Sequence, residues 1–201
     1  MTSTVSIVNN ALNIIGASNI TELEENSKTA RVMNQMYESI RDDVFRAHPW
    51  NCLIRRATLA QSVDTPAFDY AYQYALPTDP YCLRVLEFQN GSMTYPYENL
   101  VGQGNKPFFV IEGRNILTDS GTARIKYLAR ITDPSQYDAG LISVLAARLA
   151  SEAAYAITGS TSVVQLADAL YERKLREARF SDATENATVR LEASDFIEAR
   201  F

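Results

Sequence analysis

The side chains best suited to nucleophilic chemistry are a thiol and an imidazole that lie close together in the sequence. Cys52 follows His48, the only histidine, by four residues. An imidazole that activates a thiolate is a recurring hydrolase arrangement. Pro49 lies between them and disfavours helix in the residue before it, so this spacing does not put both side chains on one helical face. We interpret His48 as a structural residue, since no second histidine is present to build another triad.

The same residues make a poor metal site. Cys52, Cys82 and His48 supply at most three zinc ligands at no recognised spacing, whereas a structural zinc site needs four. Two cysteines thirty residues apart in a protein made in a cytoplasm are expected to be reduced core residues. The sequence therefore predicts no metal, no cofactor and no catalytic residue.

Two further segments invite a chemical interpretation that their context does not favour. Residues 22–27 (ELEENS) cluster acids just before a helix, where carboxylates favour the helix dipole and Asn26 or Ser27 can act as the N-cap. Gly102, Gln103 and Gly104 lack the lysine and hydroxyl residues of a phosphate-binding loop. We predict a capped helix start and a flexible loop.

His48 and Cys52 are positioned by one long amphipathic helix, predicted within residues 30–51 (ARVMNQMYESIRDDVFRAHPWN). This helix should end at or before His48, because Pro49 disfavours a helical conformation in the residue before it. Trp50, the only tryptophan, begins the next element. The apolar stripe consists of Met33, Met36, Tyr37, Ile40, Val44 and Ala47. The face predicted to meet solvent or a neighbouring subunit consists of Asn34, Gln35, Glu38, Arg41, Asp42 and Arg46.

Three more helices are predicted from the spacing of apolar residues. One covers residues 3–15, and a very apolar one over residues 139–158 should be the central buried helix. The last covers residues 163–181 and forms an αα-hairpin with its predecessor. Its inward residues should be Val163, Leu166, Ala167, Leu170, Tyr171 and Ala178.

Short strands separated by turn sequences fill the middle of the chain. We predict an extended segment at residues 51–61 and a strand from Phe68 to Tyr74, where aromatic residues alternate. The remaining predicted strands cover residues 83–88, 95–97, 108–112, 115–118 and 124–128.

The expected fold class is α+β and mostly α. Residues 1–49 and 138–183 form a bundle of about four helices, and residues 50–137 form an inserted, antiparallel β-rich subdomain. Residues 184–201 form an extended C-terminal tail that lacks an apolar stripe long enough to dock, so we expect a partner to order it.

Bulk composition narrows the function classes. The formal net charge of −5 argues against a conventional nucleic-acid-binding protein, which needs a basic surface to displace counterions. No run of apolar residues approaches the roughly 18 needed for a transmembrane helix, and the N-terminus lacks the basic start of a signal peptide. We therefore expect a protein made in a cytoplasm and not bound to a membrane.

Two segments resemble motifs of one protein family. Residues 41–51 (RDDVFRAHPWN) are similar to the RDxxLRxHPWNFA signature of phage tail tubular protein A, and residues 74–85 (YALPTDPYCLRV) are similar to its YxLPxDxLRV pattern. The first helix, with its Ile-Gly end, also resembles the opening of that family. In this chain Cys52 replaces an aromatic residue, and Tyr81 and Cys82 lengthen the second motif.

The resemblance implies a structural virion protein, the head-to-tail adaptor of short-tailed phages. Such a protein would form a homo-oligomeric ring of twelve subunits between the portal protein and the tail nozzle protein, and DNA would pass through its channel without specific binding. It would be located in the virion neck, and in the host cytoplasm during assembly. The residues implied as the structural signature are Arg41, Asp42, His48, Pro49, Trp50, Leu76 and Pro77.

In that family the C-terminal segment reaches the portal, so we predict Phe196, Ile197 and Phe201 as the portal-docking anchors. An alternative is a cell-wall-degrading hydrolase associated with the phage tail, with Cys52 and His48 as its only candidate pair. A third possibility is a nucleic-acid-binding or scaffolding domain of non-viral origin, which the acidic balance disfavours.

Overall fold

The computed structural model describes residues 2–89, 94–96 and 107–185, and these form four α-helices and seven short strands. The helices are α1 (Thr4–Ile14), α2 (Lys28–Ala47), α3 (Ala139–Thr158) and α4 (Thr161–Thr184). The strands are β1 (Ile54–Thr58), β2 (Tyr72–Ala75), β3 (Cys82–Gln89), β4 (Thr94–Pro96), β5 (Phe109–Glu112), β6 (Asn115–Thr118) and β7 (Arg124–Ala129). The predicted α+β fold class is confirmed.

The boundaries of the long helix α2 follow from its capping residues. The Ser27 hydroxyl accepts a hydrogen bond from the Ala30 amide at 3.1 Å, which satisfies one of the free donors at the helix start. The helix ends at Ala47, ahead of Pro49, as predicted. Trp50 then turns back and is fully buried, and its indole Nε1 donates to the Val44 carbonyl at 3.0 Å.

The predicted faces of α2 need two corrections. Arg41 was expected on the polar face, yet its side chain is only 6% exposed, because a carboxylate beside it allows the charge to be buried. Ala47 was expected in the apolar stripe but is exposed. Phe45 is buried instead, and it packs edge-on against Tyr137 with ring centroids 5.4 Å apart.

Helix α3 is the centre of the helical part, as predicted, and contacts α1, α2 and α4. Within the described ranges α3 is the one helix long and apolar enough to cross a membrane by length and composition. More than half of it is buried inside the protein. Its apolar character is therefore explained by its position in the core.

Helix α4 is longer than predicted and buries a different set of residues. It extends beyond residue 181 to Thr184, and Leu166, which we expected inside, is 66% exposed. Successive residues in an α-helix are about 100° apart, and it is the adjacent Ala167 that faces the core. The buried residues of α4 are Ala167, Leu175, Ala178 and Asp182.

The strands form two antiparallel sheets. The four-stranded sheet has the order β1-β7-β3-β4 and the three-stranded sheet has the order β2-β6-β5. Phe88 of β3 and Phe109 of β5 are fully buried and stacked with centroids 4.9 Å apart, which ties the two sheets together.

Two strand predictions were too long. Residues 51–53 form a 3₁₀ turn, so the first strand begins only at Ile54. The alternating aromatics from Phe68 do not form one strand, because Asp69 has a φ of 68° and the extended backbone starts at Tyr72. Phe68 is 77% exposed as a result.

We expect the burial of Trp50 to hold the end of α2 in place. Replacing Trp50 with Ala should lower the free energy of unfolding by about 3–5 kcal/mol, because a fully buried ring is lost and a cavity remains. Urea unfolding of the isolated chain measures this. Tyr155→Ala, which removes a 63% exposed ring, should change the stability by no more than about 0.5 kcal/mol, and equal losses would contradict the assignment.

Candidate functional site

The first part of the candidate site is a pair of charges on α2 that reaches the four-stranded sheet. Asp42 Oδ1 accepts from Arg41 Nε at 3.1 Å and from Arg41 Nη2 at 3.0 Å. The other oxygen, Oδ2, lies 2.5 Å from Nη2 of Arg130, the residue after β7. One carboxylate thus bridges two guanidinium groups and links α2 to the sheet.

A stack of side chains continues from that carboxylate to the second sheet. The guanidinium carbon of Arg130 lies 4.3 Å from the centroid of the Tyr81 ring, and that of Arg114 lies 3.9 Å from the same centroid. Arg114 then donates from Nη2 to the Pro77 carbonyl at 2.6 Å and from Nη1 to the Cys82 carbonyl at 2.7 Å. We call the set Arg41, Asp42, Arg130, Tyr81 and Arg114 the arginine junction.

The arginine junction brings together the two segments that carry the family resemblance. Arg41 and Asp42 lie at one end of it, and the carbonyl of Pro77 lies at the other. Leu76 is buried beside the junction, and its amide donates to the Arg114 carbonyl at 2.9 Å. Tyr81 supplies the ring on which Arg114 and Arg130 both lie.

A second junction fixes the end of α4 to the turn after α2. Asp182 is 5% exposed, its Oδ2 lies 2.9 Å from His48 Nε2, and its Oδ1 accepts from the Asn51 amide at 3.0 Å. Asn51 Nδ2 also donates to the Asp182 carbonyl at 2.7 Å. We call His48, Asn51 and Asp182 the histidine junction.

Two further contacts complete the histidine junction. The His48 ring packs edge-on against Trp50, with centroids 4.8 Å apart and planes at 77°. Arg179 Nη2 donates to the Ala47 carbonyl at 2.8 Å, so a cation of α4 satisfies a free acceptor at the C-terminal end of α2. His48 thus lies directly after the last residue of α2, in contact with both Asp182 and Trp50.

The structure gives no sign that Cys52 is an activated nucleophile. Burial is the main cause that raises the pKa of its thiol, and the charges of Asp138 and Asp182 raise it further. Burial likewise raises the pKa of the Cys82 thiol to about 11. Both groups are thus held as the neutral thiol at neutral pH, whereas a nucleophilic cysteine needs a lowered pKa.

Metal ligands are equally sparse. Within residues 2–89, 94–96 and 107–185, no three His, Cys, Asp or Glu side chains come together in a way that could hold a metal ion. Among the carboxylates before α2, Glu25 forms hydrogen bonds within its own loop. Its Oε2 accepts from the Thr21 amide at 2.9 Å and from the Thr21 hydroxyl at 3.0 Å. Those hydrogen bonds lower the pKa of Glu25.

All seven residues of the predicted structural signature lie at or beside these two junctions, but the sequence did not identify their partners. Arg114, Arg130 and Asp182 are distant in sequence from the motifs they bind, and each looks like an ordinary surface charge. Only the position of Asp182, seven residues after Leu175 and four after Ala178 on the buried stripe of α4, could have suggested a buried acid. The predicted portal anchors Phe196, Ile197 and Phe201 and the Gly102–Gly104 loop lie outside the described residues.

The histidine junction leads to a prediction about α4. Asp182→Ala should lower the free energy of unfolding by about 2–3 kcal/mol, since it leaves His48 and the Asn51 amide without a charged acceptor. Amide hydrogen exchange in the last two turns of α4 should quicken. Glu177→Ala, which removes an exposed acid from the same helix, serves as the control, and an effect of similar size in both variants would refute a special role for Asp182.

The raised thiol pKa values lead to a pH prediction. Both cysteines should react with iodoacetamide at pH 7 more slowly than a free thiol, Cys82 by at least about tenfold, and both rates should still be rising with pH where the rate of a free thiol has levelled off. The urea-unfolded chain, in which both thiols are exposed, is the control. A Cys52 that reacts faster than a free thiol would revive the hydrolase interpretation.

Comparison with known proteins does not add a family to this description. The sequence matches no protein-family model, and no curated protein matches it.

Proposed function

We propose that this protein is a structural subunit of a virion, a head-to-tail adaptor that forms a ring between the portal and the tail nozzle of a short-tailed phage and continues the DNA channel. The observation that carries the proposal is the arginine junction. The two segments that resemble the adaptor family are 23 residues apart in the sequence (from Asn51 to Tyr74), yet they meet through Asp42, Arg130, Tyr81 and Arg114. This gives the resemblance a physical basis in one connected structure.

A ring subunit needs surfaces for its neighbours, and the αα-hairpin offers one. Tyr155 of α3 and Leu166 and Phe180 of α4 are 63%, 66% and 74% exposed. Leu166 and Phe180 are fourteen residues apart, close to four full turns, so they lie on the same exposed face of α4. Large exposed apolar side chains of this kind are typical of protein–protein contact sites.

The charge of the chain fits the same proposal. At a net charge of −5, repulsion from DNA phosphates limits adhesion of the genome to the channel wall. The ring would hold twelve subunits, the anchors Phe196, Ile197 and Phe201 would reach the portal, and the β-rich part would point to the nozzle. The role we propose is mechanical, in the virion neck.

We expect light scattering to give the mass of a monomer for the isolated protein and, after mixing with purified portal rings, a complex of fixed ring stoichiometry. Phe196→Asp with Ile197→Asp should lower portal affinity by at least about tenfold, because burying charged groups in the docking site is unfavourable. Val189→Asp makes the same kind of change in the tail outside the predicted anchors and should bind normally.

The α4 surface is tested in the same assay. Leu166→Glu with Phe180→Glu should leave the isolated chain folded, since both residues are exposed, but should prevent a complete ring on the portal. Val63→Glu, at a fully exposed residue in the loop before β2, is the matched control. An isolated chain that ignores portal rings altogether would overturn the proposed function.

A further inference from the structure

The outer face of the four-stranded sheet carries an unusual concentration of positive charge. Register places Arg56 of β1 opposite Lys126 of β7, and Lys126 opposite Glu87 of β3. Two residues further along, Arg124 of β7 lies between Thr58 and Gln89. Because side chains two apart on a strand share a face, these six residues form one surface, which we call the basic sheet face.

Most of that charge is not neutralised within the described part of the chain. Lys126 Nζ pairs with Glu87 Oε1 at 2.8 Å. Arg56 and Arg124 are exposed, and neither has an ion-pair partner among the described residues. Like charges directly opposite each other on neighbouring strands destabilise a sheet, as Arg56 and Lys126 would here. In a chain of net charge −5, the basic sheet face therefore carries an excess of two cations.

The basic sheet face continues into a groove at the end of α4. Glu87 and Lys126 line this groove as well, together with Ile54, Leu86 and Ala183. Glu185 is the last described residue, and its Oε2 lies 3.5 Å from Asn51 Nδ2, at the wall of the same groove. The residues that follow Glu185 therefore begin at one end of a continuous surface whose other end carries Arg56 and Arg124.

The chemistry of those residues fits that surface. Residues 191–198 (LEASDFIE) contain three acids, Glu192, Asp195 and Glu198, and no basic residue. The same segment contains Leu191, Phe196 and Ile197, and the groove offers the half-buried apolar side chains of Ile54 and Leu86. Residues 186–190 can span up to about 17 Å at 3.3 Å per residue. Lys126 lines the same groove as Asn51, which Glu185 contacts, and Lys126 and Arg124 are only about 7 Å apart along β7.

We propose that residues 191–198 dock on the basic sheet face of their own molecule, where their acids neutralise Arg56 and Arg124 and their apolar residues enter the groove at the end of α4. This inference concerns the isolated chain and does not depend on the proposed portal-binding function. The two are nevertheless related, because Phe196 and Ile197 would have to leave this surface before they could anchor on a portal.

Hydrogen exchange of the full-length, isolated protein tests the proposal, with mass spectrometry of peptides covering residues 186–201. At low ionic strength, amides of residues 191–198 should exchange about tenfold more slowly than in a free peptide of the same sequence. At about 1 M salt the protection should be lost, since exposed charge pairs are screened. At low ionic strength, the protection of these amides should be the same at all protein concentrations, because the contact is intramolecular.

Charge reversal and charge exchange locate the contact. Arg56→Glu with Arg124→Glu should abolish the protection, and adding Glu192→Lys and Asp195→Lys to that variant should restore it. The control variant is Arg173→Glu with Arg176→Glu, at exposed positions on α4. It makes the same change in net charge and should leave the protection of residues 191–198 intact. Circular dichroism of each variant checks that the fold is retained.

Four outcomes would overturn the proposal. The first is an unprotected tail at low ionic strength, and the second is protection that survives the reversal of Arg56 and Arg124. The third is protection that grows with protein concentration, which would assign the surface to the tail of a second copy. The fourth is an unprotected tail together with salt-dependent binding of duplex DNA that needs Arg56 and Arg124, which would make the face a nucleic-acid site.

Discussion

The fold depends on how a guanidinium group is kept inside it. Arg41 lies on the buried side of α2, where an unpaired charge would be strongly destabilising. Asp42 resolves this by sharing one carboxylate between Arg41 and Arg130, and Arg130 in turn lies against Tyr81. Because each member of this series needs the next, the long helix, the end of β7 and the turn before β3 must take up one relative arrangement. Packing of apolar residues alone would tolerate several relative arrangements of these three elements.

The histidine junction satisfies backbone and side-chain polar groups at the C-terminal end of α2. Pro49 ends the helix and leaves its last carbonyls without intrahelical donors. Arg179 takes the Ala47 carbonyl, and Asp182 orients both His48 and Asn51. The last turns of α4, which carry few buried apolar residues of their own, are thereby held against the helix–sheet boundary by polar contacts.

Much of the fold was accessible from the sequence because its signals are local. The cap at Ser27, the proline after α2 and the apolar content of α3 each act within a few residues, and the corresponding helix boundaries were predicted well. The errors have a common cause. Arg41 is buried, Leu166 is exposed, and Phe68 is outside the sheet because of partners or turns that periodicity does not reveal. The candidate site was half predictable: its motif residues stand out, whereas Arg114, Arg130 and Asp182 become recognisable only once the chain is folded.

The position of the histidine junction has a mechanical consequence. Helix α4 is about 36 Å long at 1.5 Å per residue, and the junction grips it within one turn of its C-terminal end. A pull applied to the residues after Glu185 would load the contacts of Asp182 with His48 and Asn51 first, and these would pass the tension to α2 and the four-stranded sheet. The rest of α4 would thereby be protected from unwinding, because the load would leave the helix at Asp182.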